Sequence, residues 1–284
     1  MCKGNIQERI LMKDKTQKLF FTDLDDTLFD TSKIISSRIR EDIKKASDKG
    51  QRVILCSGRP FSTMRPLIED LELGYKGNYV VSFNGGLILE ANTGKTLFKK
   101  EIPNDLCRKV MKICQSLNIH SQFYDEEGVL TPDKGPEIKH YAKLSKGTYK
   151  FDPDLSDNFT GTSPKIEIID LNSHSKLDHV KEIITDKFGD SVDLFFSNPY
   201  YLEVMPKGVS KGSAVKYLSK FLGIAIENTV AVGDSDNDLS MIKAAGVGCA
   251  MANAIDSVKK AADYITVNDC DHSGVAEVLE KFIL

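Results

Sequence analysis

Two short acidic clusters are the residues of this chain best suited to do chemistry. The first, TDLDDTL at 22–28, places Asp23 and Asp25 directly after the apolar run KLFF, and the second, GDSDND at 233–238, follows the apolar run TVAV. Carboxylates at the carboxyl end of a buried parallel strand lie on the sheet edge where open α/β folds bind their ligands. An acidic turn is the competing reading of either cluster alone, and Asp26 and Asp30 read that way. Two clusters after two apolar strands, however, can meet across one edge. Crowded carboxylates repel unless a cation joins them, and an oxygen-only donor set without His or Cys suits a hard ion such as magnesium. Asp234, Asp236 and Asp238 also match the opening of a calcium-binding EF-hand loop, but that loop needs Gly and Glu where this chain has Leu239 and Ala245.

Two further positions complement the acids. The run RVILC leads into Ser57, Gly58, Arg59 and Pro60, with helical sequence beyond. Pro suits a first helical turn, so Ser57 and the amides around it lie where the positive end of a helix dipole meets an anion, and a phosphate group fits there. A plain capped helix start is the alternative. Lys211, after GVS at 208–210, stands at another predicted helix start, a poor place for a cation unless something negative faces it. Nucleotide-binding loops do not fit: Met251 stands where a third glycine should follow Gly246 and Gly248, and SKGS at 210–213 lacks the upstream glycine of a P-loop. The histidines, His120, His140, His174, His179 and His272, show no metal spacing and read as structural or solvated, with His120 and His140 the two that could face a site.

These residues need elements to position them. Short apolar runs alternate with helical patterns at both ends of the chain: KLFFT at 18–22, a helix at 36–49, RVILC at 52–56, another helix, and YVVS at 79–82. The first helix rests on Ile39, Ile43 and Ala46 at one-face spacing, with Ser36 as cap and Gly50 past its end. The rhythm resumes with a helix at 210–222, strand TVAV at 229–232, a helix from Asn237, strand VGCA at 247–250, a helix at 256–262 and a last one from 273. Strands alternating with helices predict a parallel, doubly wound sheet. Between the halves the texture changes to hairpin-like pairs such as LILEANTGKTLF, with helices at 104–117 and 175–187 and strands at 120–124, 165–169, 192–197 and 200–205. That segment reads as an inserted domain, with 145–164 as loop.

Composition narrows the function classes. A chain of 284 residues with 41% hydrophobic and 28% charged residues folds rather than staying disordered, and its length suits two domains. A net charge of -3 provides no basic field for nucleic acid. No apolar run has the length of a signal-peptide core or a membrane span, so a soluble, cytoplasmic protein without nucleic-acid or membrane partners is expected. Six cysteines without paired zinc spacing suit reduced thiols.

Taken in order, DLDDTL, CSGR, the lysine of GVSKG and GDSDND resemble the four motifs of the haloacid dehalogenase superfamily of phosphatases. The insertion between the second and third motifs, with FNGG at 83–86, YLEVMPKGVSKG at 201–212 and MANA at 251–254, looks like its Cof-like branch of sugar and cofactor phosphatases. The resemblance runs from about residue 18 to the end, and departs at Asp26, where the family more often has Gly. It implies an α/β fold: a doubly wound, parallel, Rossmann-like core from 1–85 and 207–284, with 1–17 as an extension, and an inserted α+β cap at 86–206. Met12, just before the matching region, offers a second start.

The resemblance further implies that Asp23 is a nucleophile forming an aspartyl-phosphate and that Asp25 is the general acid and base. Ser57, Gly58, Lys211 and Asn237 would hold the phosphoryl group, and Mg2+ would be held by Asp23, the backbone carbonyl of Asp25, Asp234 and Asp238. Asn84, Gly85 and Glu203 are the candidate substrate contacts, and Gly85, Gly86 and Gly208 the candidate hinge between core and cap. The implied substrate is a small phosphorylated metabolite. A phosphomutase built on the same motifs and a non-catalytic sensor of such a metabolite are the alternatives.

Overall fold

The computed structural model describes residues 17–125, 128–145 and 148–284; Met12 and nearly all of the expected extension lie outside them. The chain opens with β1 (Leu19–Thr22), α1 (Ser37–Asp48), β2 (Arg52–Leu55), α2 (Phe61–Asp70), β3 (Tyr79–Ser82), β4 (Leu87–Glu90) and β5 (Thr96–Lys99). Its middle holds α3 (Asn104–Ser116), β6 (His120–Tyr124), β7 (Val129–Thr131), α4 (Pro136–Ser145), β8 (Tyr149–Phe151), α5 (Leu155–Asn158), β9 (Ile166–Ile169), α6 (His174–Phe188), β10 (Val192–Asn198) and β11 (Tyr201–Pro206). The last part supplies α7 (Lys211–Leu222), β12 (Thr229–Gly233), α8 (Leu239–Ala244), β13 (Val247–Ala250), α9 (Asp256–Ala261), β14 (Tyr264–Ile265) and α10 (Gly274–Phe282).

Five of these strands form a parallel sheet in the order β14-β13-β12-β1-β2. Every residue of β1 and β12 is buried, as expected of strands covered by helices on both faces. Helix α1 begins as predicted: Ser36 Oγ accepts from the Ile39 amide, and Ile39, Ile43 and Ala46 turn into the core. With β1 central and aligned to its neighbours, Thr22 sits opposite Leu55 on one side and Val232 on the other. The residues that follow these three strands therefore emerge side by side at one edge. Among the described residues no helix is long and apolar enough to cross a membrane.

The middle of the chain builds its own sheet, β10-β11-β9-β6-β7-β8, antiparallel except where β7 meets β8. Because side chains alternate along a strand, its two faces differ sharply. Phe123, Ile166, Ile168, Leu202 and Val204 join the residues of α3 and α6 in one apolar cluster. Alternate positions carry Gln122, Tyr124, Glu167, Tyr201 and Glu203, all of them buried. Register aligns Gln122, Glu167, Glu203 and Phe195 in a single row across four strands.

Two expectations are corrected. The hairpin at 87–98, expected within the insertion, packs with the core instead: β4 pairs antiparallel with β3, and Ile88 packs with Tyr79, Val81, Leu19, Phe21 and Ile54. Strand periodicity reveals a strand but not its partner, and β3, joined to Cys56 by a single parallel bridge, turns the core outward into this three-stranded sheet. The insertion's own apolar cluster begins only at Ile102. The segment 145–164, read as loop, contains β8 and α5. Elements of three and four residues are too short to display a period.

The crossing at Gly85 is tightly packed. Its φ is +99°, and a Cβ there would come within 2.4 Å of the Ser210 carbonyl oxygen, at the cap of α7. At the other crossing, Gly208 has φ +75° and a Cβ would meet nothing within 4 Å. Gly85→Ala is therefore expected to cost about 2–3 kcal/mol in urea unfolding through strain and overlap, well beyond an ordinary surface change. Gly208→Ala carries the strain alone and is expected to cost less.

Candidate active site

Asp23 leaves the end of β1 with its amide bonded to the Val232 carbonyl at 3.1 Å. The chain then makes a wide turn over Leu24–Leu28 in which Asp26 has φ 56°. That conformation favours glycine and tolerates Asp, which accounts for the departure noted at this position. The turn is tied down from outside, since Asn253 of the MANA segment donates to the Asp26 carbonyl at 2.7 Å.

Lys211, the first residue of α7, is wholly buried between Asp23 and Asp238: its Nζ lies 2.5 Å from Asp23 Oδ1 and 2.6 Å from Asp238 Oδ1. Burial alone would lower the Lys211 pKa, but the two carboxylates outweigh it and hold the ammonium charged. Asp238 spends its other oxygen on the amides of Asp234 and Ser235, at 2.9 and 3.1 Å. Asp234 accepts one hydrogen bond on each oxygen, from Thr27 Oγ1 and from Ser235 Oγ, both at 2.8 Å.

Ligand oxygens of Asp23, Asp234 and Asp238 all lie within 4.8 Å of one another. Three buried carboxylates thus share one ammonium. Burial and the neighbouring Asp238 push Asp234 up to about 7, and burial, opposed by Lys211 but helped by Asp238 and Asp234, raises Asp23 well above the usual carboxylate range. Such a group is short of positive charge, and its oxygen-only donors fit a hard divalent cation. Asp23, Asp234 and Asp238 could each offer an oxygen to such an ion, and Asp238 in addition braces Lys211.

Asp25 stands apart from this cluster. Arg59 grips it with a two-pronged contact, Nε to Oδ2 at 2.9 Å and Nη2 to Oδ1 at 2.6 Å, and Lys33 adds a third at 3.0 Å. Burial works to raise its pKa, but Arg59 and Lys33 prevail and hold it below the usual value. Ser57 is buried in the loop between β2 and α2, its Oγ accepting from the Arg59 amide at 3.3 Å. Asn84 lies over Gly58 and accepts from Asn237 Nδ2 at 3.3 Å. Glu203, expected to meet substrate hydroxyls, is buried with Oε2 occupied by Asn84 Nδ2 at 2.7 Å and Lys165 Nζ at 3.1 Å.

Several participants escaped sequence reasoning. Arg59 lay in view within CSGR, but Lys33 and Thr27 carry no local signature, and neither do Lys165 and Glu167, a buried pair 3.5 Å apart. Tyr124 Oη also bonds Glu167, as does Gln122 Nε2 at 3.3 Å. Of the histidines, His120 belongs to this cap network, between Asp133 at 2.7 Å and Gln122 at 3.1 Å.

Comparison with known proteins matches the family described as haloacid dehalogenase-like hydrolase over residues 20–279. A protein of Streptococcus pyogenes named as a phosphatase is 33% identical over 270 residues, covering 94% of this chain and 98% of its own. A 5-amino-6-(5-phospho-D-ribitylamino)uracil phosphatase of Bacillus subtilis is 29% identical, covering 96% and 98%. The crystal structure of a haloacid dehalogenase-like hydrolase from Bacteroides thetaiotaomicron superposes with a TM-score of 0.83 at 34% identity, covering 93% of this chain and 99% of that one.

The carboxylate crowding has a thermodynamic consequence. A raised carboxyl pKa stabilises the fold below the unfolded value and loses that stability as pH climbs through the folded one, here from 3.8 to about 7. In chelator, the melting temperature is expected to fall as pH rises across that window, and Asp234→Asn is expected to remove part of the fall and to be the more stable protein at pH 8. Magnesium at a hundred times its dissociation constant should restore about 2.7 kcal/mol to the parent and little to the variant. Calorimetric scans from pH 5 to 8 check this, and an equal magnesium response in both proteins would remove Asp234 from the cation site.

Proposed function

Because the chain belongs to the haloacid dehalogenase-like hydrolase family, we propose that it is a magnesium-dependent phosphatase of small phosphorylated metabolites, working through an acyl phosphate on Asp23. The observation that carries this reading is the burial of Lys211 between Asp23 and Asp238 beside Asp234. A carboxylate can attack a phosphate monoester only where positive charge cancels the repulsion between two anions. Lys211 supplies one such charge, and it holds Asp23 by Oδ1. A bound magnesium would supply the rest, as a Lewis acid on the phosphoryl oxygens.

In the reaction, the free carboxylate oxygen of Asp23 attacks phosphorus and the bond to the leaving oxygen breaks, with Asp25 giving that oxygen a proton. Water then attacks phosphorus of the acyl phosphate, Asp25 takes its proton back, and Asp23 returns as a carboxylate with release of inorganic phosphate. Arg59 holds Asp25 ionised in this structure, so its grip must loosen for Asp25 to act as the acid. Ser57, the amide of Gly58 and Asn237 would flank the phosphoryl group.

Residues 101–206 would act as a cap that limits what reaches the site. Phe195 of the cap and Ser210, Asp236, Asn237, Leu239 and Lys243 of the core border a crevice of about 350 Å³. The crevice reaches Asn237 but none of Asp23, Ser57 or Lys211, so the limit on substrate size would come from the cap seated over the core rather than from this volume. The Bacillus relative named for a phosphate on a ribityl chain supports a small-molecule substrate.

Asp23→Asn is expected to fold normally and to lose at least three orders of magnitude in turnover, about 4 kcal/mol of barrier, since an amide cannot attack phosphorus. Turnover within tenfold of the parent, measured on p-nitrophenyl phosphate with magnesium, would remove Asp23 as the nucleophile. Asp25→Ala is expected to slow alkyl phosphates far more than p-nitrophenyl phosphate, whose leaving group needs no proton. Equal losses across a series of graded leaving groups would show that Asp25 is not the acid.

A further inference from the structure

Asn84 sits where three parts of the site meet. Its amide donates to the Ser57 carbonyl at 3.0 Å, and its side chain packs so closely over Gly58 that a Cβ there would come within 3.0 Å of Nδ2. On its other sides lie Glu203 of the cap and Asn237 of the core. It is fully buried, and both Phe83 and Asn84 have positive φ, 48° and 50°. Two successive non-glycine residues in the left-handed region are held there only by their surroundings.

Hydrogen-bond polarity then fixes a chain of orientations. The Glu203 oxygen that meets Asn84 also accepts from Lys165 Nζ, so Asn84 turns its nitrogen toward the cap and its oxygen toward Asn237. That oxygen also only accepts, so Asn237 must present Nδ2 to it, which leaves Asn237 Oδ1 buried with no partner in the described structure. Glu203 is itself anchored by Lys165, a charge contact between two side chains that are both nearly inaccessible. One cap carboxylate thus sets the direction of two amides in succession, the second of which borders the crevice.

We propose that Glu203 is a positioning residue: acting through Asn84, it holds Asn237 by its amide nitrogen and so seats the turn that carries Asp234 and Asp238, so that the core site is fully formed only with β11 in place. The proposal rests on the phosphatase reading and replaces the expected role of Glu203 in reading substrate hydroxyls. It makes Asn84 the joint between the phosphate loop at Ser57 and Gly58 and the cap.

A double-mutant cycle on the full chain tests it, using Glu203→Ala, Asn237→Ala and the pair. Its readouts are kcat and KM for p-nitrophenyl phosphate with magnesium and, separately, the affinity for inorganic phosphate by calorimetry. That substrate has no hydroxyls to read, so a residue that only reads hydroxyls would leave it within about threefold of the parent. Glu203→Ala is expected to lower kcat/KM by about 10-fold to 100-fold in the parent and by less than about threefold once Asn237 is gone. Multiplying losses in the double variant, or no loss on p-nitrophenyl phosphate, would overturn the proposal. Should Glu203→Ala not fold, Glu203→Gln keeps the volume and allows the Asn84 amide to reverse, and the same cycle applies. If the parent hydrolyses no phosphate monoester, the phosphatase reading fails; the phosphate-affinity cycle still decides the coupling, additive losses there overturning it.

Discussion

The structure depends on one buried ammonium. Lys211 has no access to water, and a lysine so placed keeps its charge only if carboxylates stand against it. The converse holds for the buried carboxyl groups of Asp23 and Asp238, which face that ammonium at 2.5 and 2.6 Å. The dependence is mutual and long-range: the partners lie on a strand end near the start of the chain and on a turn near its end, 188 and 27 residues from Lys211. A parallel sheet with β1 between β2 and β12 is the arrangement that brings them to one edge.

The same group is incomplete by itself. One ammonium against three carboxylates leaves the cluster short of positive charge, which is why Asp23 and Asp234 both hold protons more tightly than ordinary carboxylates. A site designed for stability would have used fewer acids or apolar residues of similar volume. The excess makes sense where a divalent cation and an incoming phosphate share the space, because each anion then has a cation to face. The nearby Asp25 shows the opposite balance, with two cations on one carboxylate. Adjacent acids in one short motif are thereby shifted in opposite directions by their surroundings.

Much of this was legible in the sequence, for identifiable reasons. Asp23, Asp234 and Lys211 were readable because each follows or opens an element whose own signal is strong: an apolar strand for the acids, a capped helix start for the lysine. The start of α1 was readable because Ser36 and the spacing of Ile39, Ile43 and Ala46 are local. The β4–β5 hairpin was seen, but its allegiance was not, since its pairing with β3 is a fact of tertiary packing. Glu203 was picked out as a strand residue near the site, while the partners that decide its role lie 119 residues away at Asn84 and 38 away at Lys165. No local pattern announces a contact of that kind.

The cap raises the same physical question as the core and answers it differently. Lys165, Glu167 and Glu203 are all nearly inaccessible, two carboxyl groups set against one amine. Buried ions contribute little stability and are costly when imperfectly paired, so an apolar sheet face would have been the more stable choice, as the opposite face of this same sheet shows. What distinguishes the polar face is its direction, toward the core, where Asn84 meets Glu203. Seated on the core, the cap links Glu203, Asn84 and Asn237 in one continuous chain. Lifted from it, Glu203 and Asn84 lose a mutual partner that only the seated arrangement provides. The hydrogen bonds that make the face expensive to bury are therefore the ones that specify where the cap comes to rest.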